Sequence, residues 1–172
     1  DYRPLKVSGA RAGNVVISEF LAQNDGGAGS LLDDDGDSSD WIELHNVGGA
    51  PIDLAGWSLT DDSGNLNKWV FPSLSLAGDA YLVVFASGKN RANPASQLHT
   101  NFKLSAGGEY LALVQPDGQT VEHEFDPYPS QTDDVSYGIA QDVNIDTLVH
   151  SGDDGKLLVP TAGNPLGDWR AT

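Results

Sequence analysis

Five aspartates lie in the loop at residues 33–40, and they are the side chains of this sequence best suited to chemistry. Their mutual repulsion is relieved either by full solvation or by a hard cation, because Ca²⁺ takes about six to eight oxygen ligands. Asp33, Asp35 and Asp37 have the alternate spacing of a calcium-binding loop. Two interpretations stay open, a solvated loop and a calcium site formed by Asp33, Asp35, Asp37 and Asp40.

The same loop does not have the pattern of an EF-hand. An EF-hand needs glycine at the sixth position of the loop and a bidentate glutamate at the twelfth. Counted from Asp33, glycine falls at the fourth position as Gly36, and Leu44 occupies the twelfth. A calcium site here would therefore have its own geometry.

Other catalytic constellations lack support in the sequence. The four histidines lie far apart, with no H-E-x-x-H pair, and there is no G-x-S-x-G elbow or P-loop. Cysteine is absent, which excludes a disulfide framework, thiol catalysis and thiolate zinc sites. We therefore predict that the protein is not an enzyme and has no cofactor apart from the candidate calcium ion. The histidines, for which we expect packing or surface roles, are His45, His99, His123 and His150.

Two glutamates, Glu19 and Glu43, stand inside otherwise apolar segments. A glycosidase needs two such acids a few ångströms apart, but a sequence this acidic always offers candidate pairs. A buried carboxylate must be paired or hydrogen-bonded. We expect a structural role for both residues near a sheet edge.

The charge balance restricts the partners. Nine Lys and Arg stand against 25 Asp and Glu, giving a net charge of −16 and a pI near 4.2. A field of that sign repels phosphate backbones and anionic membrane surfaces. No apolar stretch approaches the roughly 20 residues needed to span a bilayer. We expect neither nucleic acid binding nor membrane insertion.

The elements that would position these residues are short strands. Apolar runs of five to seven residues, rich in Val, Ile, Leu and aromatics, end at Gly, Pro, Asn or Asp, and no helical period is sustained. This spacing predicts an all-β, antiparallel sandwich. The predicted strands are residues 15–21, 41–47, 57–61, 67–72, 81–86, 98–104, 109–115, 120–125 and 135–140.

For one predicted strand the sequence also predicts which side chains share a face, and for one strand pair it predicts the connecting turn. In the strand at 41–47, Ile42, Leu44 and Asn46 share one face, because side chains alternate along a strand. The turn at 116–119 (PDGQ) joins the last long pair as a hairpin, with proline setting φ and glycine accepting φ > 0.

The domain organisation follows from the same distribution of apolar runs and turn-forming residues. The sandwich is predicted at residues 15–140, after an N-terminal flank at 1–14. Residues 141–172 are rich in Asp, Gly and Pro, and we expect a C-terminal extension or a linker to a following domain.

The chain contains, in this order, the segments 17–20 (ISEF), 39–46 (SDWIELHN), 52–61 (IDLAGWSLTD), 69–72 (WVFP), 80–85 (AYLVVF), 102–105 (FKLS) and 108–113 (GEYLAL). The most specific are the D-W-I-E-L-x-N and L-x-G-W-x-L-x-D blocks. Together the segments resemble the lamin tail domain family over about residues 15–140.

The resemblance implies an immunoglobulin-like sandwich that serves protein interaction. In nuclear lamins the domain follows a coiled-coil rod, whereas bacterial examples belong to larger secreted or surface proteins. This sequence has no rod and carries the acidic insertion at 33–40, which favours the bacterial branch and an extracellular or cell-surface location. Trp57 and Trp69 of the matching blocks are expected in the core, since aromatic burial dominates core energetics.

Three functions remain open. The first is a non-catalytic module that binds a protein partner or a surface polymer, with its oligomeric state undetermined. The second is a carbohydrate-binding sandwich with structural calcium, in which Trp41, Tyr128 or Trp169 stacks on the sugar. The third is a metal-dependent hydrolase built on the acidic loop, which requires several of its aspartates to converge with a histidine in a cleft.

Overall fold

Short β-strands connected by turns make up the fold. The computed structural model describes residues 14–27 and 29–139, and all structural statements concern those ranges. No helix there is long and apolar enough to cross a membrane. The strands in chain order are β1 Val15–Leu21, β2 Trp41–Asn46, β3 Ile52–Asp53, β4 Ser58–Thr60, β5 Trp69–Val70, β6 Ser75–Leu76, β7 Tyr81–Phe85, β8 Leu98–His99, β9 Leu111–Val114, β10 Val121–Phe125 and β11 Tyr137–Gly138.

The larger sheet has five strands in the order β11-β1-β2-β7-β8. Its pairs are antiparallel except β7 with β8, which is parallel. A β-bulge interrupts the β1–β2 ladder between Ile17 and Glu19. The bulge adds one residue to β1, so the side chains on either side of it change faces.

The second sheet has four antiparallel strands in the order β10-β9-β4-β5, and β3 and β6 form a separate two-stranded sheet. The predicted hairpin is confirmed as β9–β10. The backbone N–H of Gly118 donates to Gln115 O at 2.9 Å, and Gly118 has φ of 68°.

One hydrophobic core receives side chains from both main sheets, as the sandwich prediction requires. The predicted inward face of β2 is confirmed, because Ile42, Leu44 and Asn46 are all fully buried. Trp57 and Trp69 are also buried, which confirms them as core residues. The described part of the chain is therefore an all-β sandwich.

The strand predictions fail at the shortest elements. The predicted strand at 98–104 ends at His99; beyond it Thr100 and Phe102 still bond neighbouring backbone, but only an isolated bridge between Ser87 and Lys103 remains. The two-residue strands β3 and β6 were not predicted, because two residues show no periodicity. The predicted flanks fall almost entirely on residues 1–13 and 140–172, outside the described ranges, and stay predictions.

Candidate functional site

The acidic loop is organised around Asp33, whose side chain is 0% exposed. Its Oδ1 accepts hydrogen bonds from the backbone N–H groups of Asp35 and Asp37, both at 3.0 Å. Its Oδ2 accepts one from the Ser39 hydroxyl at 2.9 Å. The loop between β1 and β2 is thus folded on the Asp33 carboxylate.

Two cations from the segment between β7 and β8 pair with the aspartates of this loop. Lys89 Nζ lies 2.6 Å from Asp33 Oδ2, 2.7 Å from Asp35 Oδ2 and 2.9 Å from Asp37 Oδ2. The Arg91 guanidinium contacts Asp35 at 2.6 Å and Asp34 at 3.2 Å. The loop is therefore not simply solvated, and two cations of the protein offset part of the charge of its five aspartates.

The ionisation of the loop follows from these contacts. Burial would raise the pKa of Asp33, but hydrogen bonds from Lys89, Ser39 and the loop backbone outweigh it and hold the pKa at about 2. Burial would lower the pKa of Lys89, yet its hydrogen bonds to three aspartates raise it. Both groups stay charged at neutral pH.

Three of the four predicted calcium ligands come together. Ligand oxygens of Asp33, Asp35 and Asp37 all lie within 4.8 Å of one another. Asp40 is not among them; its Oδ1 accepts a 3.4 Å hydrogen bond from the backbone of Asn24, and burial raises its pKa. The ammonium of Lys89 contacts all three clustered carboxylates, so a calcium ion would have to displace it. The calcium site stays a prediction.

His99 is buried beside this loop. Its Nδ1 lies 2.9 Å from the Ser87 hydroxyl, and its ring stacks on Phe85. Nε2 lies 3.6 Å from Asp34 Oδ1, too far for a hydrogen bond. Burial lowers the pKa of His99, and the charge of Arg91 acts in the same direction.

Ser87, His99 and Asp34 have the residue types of a Ser–His–Asp triad, but the Ser87 hydroxyl is not placed to act as a nucleophile. Ser87 is buried, and its hydroxyl also accepts a hydrogen bond from the backbone of Lys89 at 3.2 Å. Ser87 and His99 therefore hold the β7–β8 segment that supplies Lys89 and Arg91.

The aromatic residues predicted to stack on a sugar are placed differently from one another. The prediction for Tyr128 is wrong: its ring is 1% exposed and packs on Phe20 at 4.6 Å, and its hydroxyl bonds Ser105 and Glu109. Trp169 and His150 lie outside the described residues. Trp41 is half-buried and lines a groove.

This groove lies where β1 ends and β2 begins, and it has a volume of about 250 Å³. Leu21 and Trp41 are cross-strand partners, and both contribute apolar surface to its lining. The Asp134 carboxylate is held there by the backbone N–H of Asp25 at 3.0 Å and by Ser30 at 3.4 Å. The lining residues are Leu21, Gly29, Ser30, Leu31, Trp41, Asp134 and Ser136.

The two glutamates predicted inside apolar strands lie beside this groove. The bulge in β1 places Glu19 directly opposite Glu43. Each accepts a hydrogen bond from a serine hydroxyl, Glu19 from Ser136 and Glu43 from Ser18, the latter at 2.7 Å. The expected position near a sheet edge is wrong, since β1 and β2 are interior strands of the five-stranded sheet. The pairing of the two glutamates could not be predicted from the sequence, because no residue type signals the bulge.

Comparisons with known proteins point to one family. The model of the Lamin Tail Domain matches residues 8–125. A search among curated proteins finds no matching relative. The match covers more than half of the chain, including β1 to β10, both glutamates and the acidic loop.

Proposed function

Because the chain belongs to the lamin tail domain family, we propose that it is a non-catalytic interaction module of a larger bacterial protein, secreted or displayed on the cell surface. The module binds a protein partner through the groove beside Trp41. The strong negative charge, the lack of cysteine and the acidic insertion before β2 support the bacterial and extracellular part of this proposal.

The groove is the observation on which the binding function rests. It combines a half-buried tryptophan with Leu31, whose exposed fraction is 43%. Tryptophan is enriched among the residues that dominate binding energy at protein interfaces. The volume of about 250 Å³ is below the roughly 300–1,000 Å³ of small-molecule pockets. That volume suits one or two side chains of a partner better than a cofactor.

The arrangement of the acidic loop argues against the hydrolase. That function required aspartates to converge with a histidine in a cleft. Asp33, Asp35 and Asp37 converge on Lys89, His99 is buried against Phe85, and none of them lines the groove. The groove itself offers no histidine among its lining residues.

The binding function is tested with a phage-displayed library of random peptides panned on the immobilised domain. Leu31→Asp is the test variant, because the exposed side chain can be changed without disturbing the core. Val70→Ala is the control, since Val70 is similarly exposed but lies on β5 of the other sheet. We expect enrichment on the wild type and on Val70→Ala, and none on Leu31→Asp. Equal enrichment on all three, or no enrichment at all, contradicts the proposed site.

A carbohydrate ligand is the second candidate, supported by Trp41 beside the Asp134 carboxylate and the Ser30 hydroxyl. A glycan array probed with the wild type and with Trp41→Ala distinguishes it. Retention of a sugar by the wild type alone supports carbohydrate binding, and absence of retention removes it.

The calcium site of Asp33, Asp35 and Asp37 is tested separately. If calcium displaces Lys89 Nζ and binds there, titration gives calorimetric heat and raises the melting temperature. If neither change occurs, the loop does not bind calcium, and Lys89 and Arg91 are its cationic partners.

A further inference from the structure

The carboxylates near the groove differ from those of the acidic loop in having no positive partner. Within residues 14–27 and 29–139, no ion pair includes Glu19, Glu43 or Asp134. Their hydrogen-bond donors are hydroxyls and a backbone N–H, all uncharged. Among the described residues, four of the five loop aspartates thus have a cationic partner, whereas the three carboxylates near the groove have none.

Two of these carboxylates are held face to face by the strand register. If β1 had no bulge, the pairing of Ile17 with Leu44 would place Ser18 opposite Glu43, and the Glu19 side chain would point towards the core. The bulge instead puts Phe20 in the core and Glu19 opposite Glu43, where cross-strand Cβ atoms are about 5 Å apart. Like charges in that position are destabilising. Bulges commonly re-aim side chains next to functional sites.

The glutamate pair is continuous with the groove. Trp41 precedes Glu43 by two residues on the same face of β2, about 6.6 Å along the strand. Ser136 lines the groove and donates to Glu19. On its other side Glu19 faces Gly138, which has no side chain to cover it. An approaching group can therefore contact the tryptophan and the glutamates together.

An aromatic ring beside unpaired carboxylates recognises a guanidinium or an ammonium group. The ring face attracts the cation, and the carboxylates accept its charge-assisted hydrogen bonds. Resting on the proposed function, we infer that the partner is a basic protein segment that places an Arg or Lys side chain between Trp41 and the Glu19–Glu43 pair.

The rim of the groove indicates what flanks that cation. Leu31, Leu32 and Val135 are 43%, 49% and 55% exposed. Leu31 lines the groove, and the other two are chain neighbours of lining residues. Apolar residues next to the basic one would bury this surface. The occupant is accordingly an apolar segment with a central Arg or Lys, and an anionic partner is excluded by repulsion.

The test uses the peptides enriched by panning on the wild-type domain. We expect Arg or Lys flanked by apolar residues in the enriched sequences. Replacing that Arg by citrulline, or Lys by norleucine, should weaken binding roughly tenfold or more, as loss of a charge-assisted contact does. Affinity should also fall as sodium chloride is raised, because exposed charges are screened.

Domain variants locate the contact. The Glu19→Gln, Glu43→Gln double variant should lose roughly tenfold in affinity with its melting temperature unchanged or raised, because a like-charge pair is removed. The control is Glu122→Gln with Glu124→Gln, on β10 of the other sheet, which should bind as the wild type does.

Several results would overturn the inference. The cationic partner is refuted if the enriched peptides contain no basic residue, bind the Glu19→Gln, Glu43→Gln variant as well as the wild type, and fail to bind Leu31→Asp. The groove remains the binding site in that case. Peptides insensitive to Leu31→Asp, or no enriched peptides, refute both proposals. Sugar binding at Trp41, or a calcium-induced rise in melting temperature that the double glutamine variant abolishes, would assign this surface to another ligand.

Discussion

Replacing Lys89 by methionine tests whether Lys89 is the counter-ion that stabilises Asp33 and the acidic loop. Methionine retains an unbranched side chain and removes the charge. Lys89 is 21% exposed and Asp33 is 0% exposed, so the variant leaves a buried carboxylate without its nearest cation. The loop that borders β1 and β2 then lacks its central contact.

The size of the loss follows from the burial of this pair. Breaking a fully buried ion pair costs about 3–5 kcal/mol, because the remaining charge is uncompensated. Asp33 keeps three hydrogen bonds, from Ser39 and from the backbone of Asp35 and Asp37, and Lys89 is partly solvated. We therefore expect Lys89→Met to lower the free energy of unfolding by about 2 kcal/mol at neutral pH, or roughly 6 °C in melting temperature.

The pH dependence gives this prediction a second signature. The folded-state pKa of Asp33, about 2, lies below its ordinary value of 3.8. The stabilisation by Asp33 is present above about pH 4 and is lost as the pH falls towards 2. The stability difference between the wild type and Lys89→Met should shrink over the same range.

Urea unfolding at a series of pH values measures both effects, with the exposed Lys103→Met as the control variant. The control should match the wild type throughout. A Lys89→Met variant as stable as the wild type at neutral pH, or a difference that is undiminished at pH 2, would refute the assignment of Lys89 as the counter-ion of Asp33.

Three further predictions concern other parts of the sandwich. Tyr128→Phe removes hydroxyl contacts to Ser105 and Glu109 and should cost about 1–2 kcal/mol in urea unfolding, whereas Tyr81→Phe, at an exposed ring, should cost almost nothing. Gly138→Ala places a Cβ against Ser18 O, with no room for it, and should destabilise by about 1–3 kcal/mol with loss of hydrogen-exchange protection in β11. Gly49→Ala, with nothing within 4 Å, is its control. Because burial depresses the pKa of His99 below 6.5, the folded protein resists its protonation and stability should fall as pH drops below about 6.5. His99→Gln should flatten part of that decline, and an unchanged slope would contradict the assignment.

The sequence was sufficient to predict the features that depend on local pattern. Strict alternation identified the buried face of β2, and the Pro-Asp-Gly turn located the β9–β10 hairpin. Trp57 and Trp69 were correctly placed in the core. In each case neighbouring residues in the chain contain the relevant information.

Features that depend on distant pairing could not be predicted in this way. Lys89 and Arg91 meet aspartates more than 50 residues away, and both partners lie in irregular segments without periodicity. Tyr128 lies between two prolines, a context typical of an exposed turn. Its ring is nevertheless buried, since Tyr128 N donates to Glu109 O at 2.9 Å and fixes this segment against the core.

The candidate site likewise combines residues that the local sequence singles out with an arrangement that depends on distant pairing. Trp41 and the two glutamates were recognised individually as unusual. Their common location depends on the bulge in β1 and on Asp134, whose carboxylate contacts residues more than 100 positions earlier in the chain. Only the folded register brings these groups to one groove.

Chemical-shift mapping of the isotopically labelled domain, with a peptide enriched on the wild type, locates the binding surface. The largest shifts should fall on the backbone of Leu31, Trp41 and Glu43 and on the indole N–H of Trp41. Perturbations confined to the β10-β9-β4-β5 sheet, with the Trp41 indole unaffected, would contradict binding at the groove.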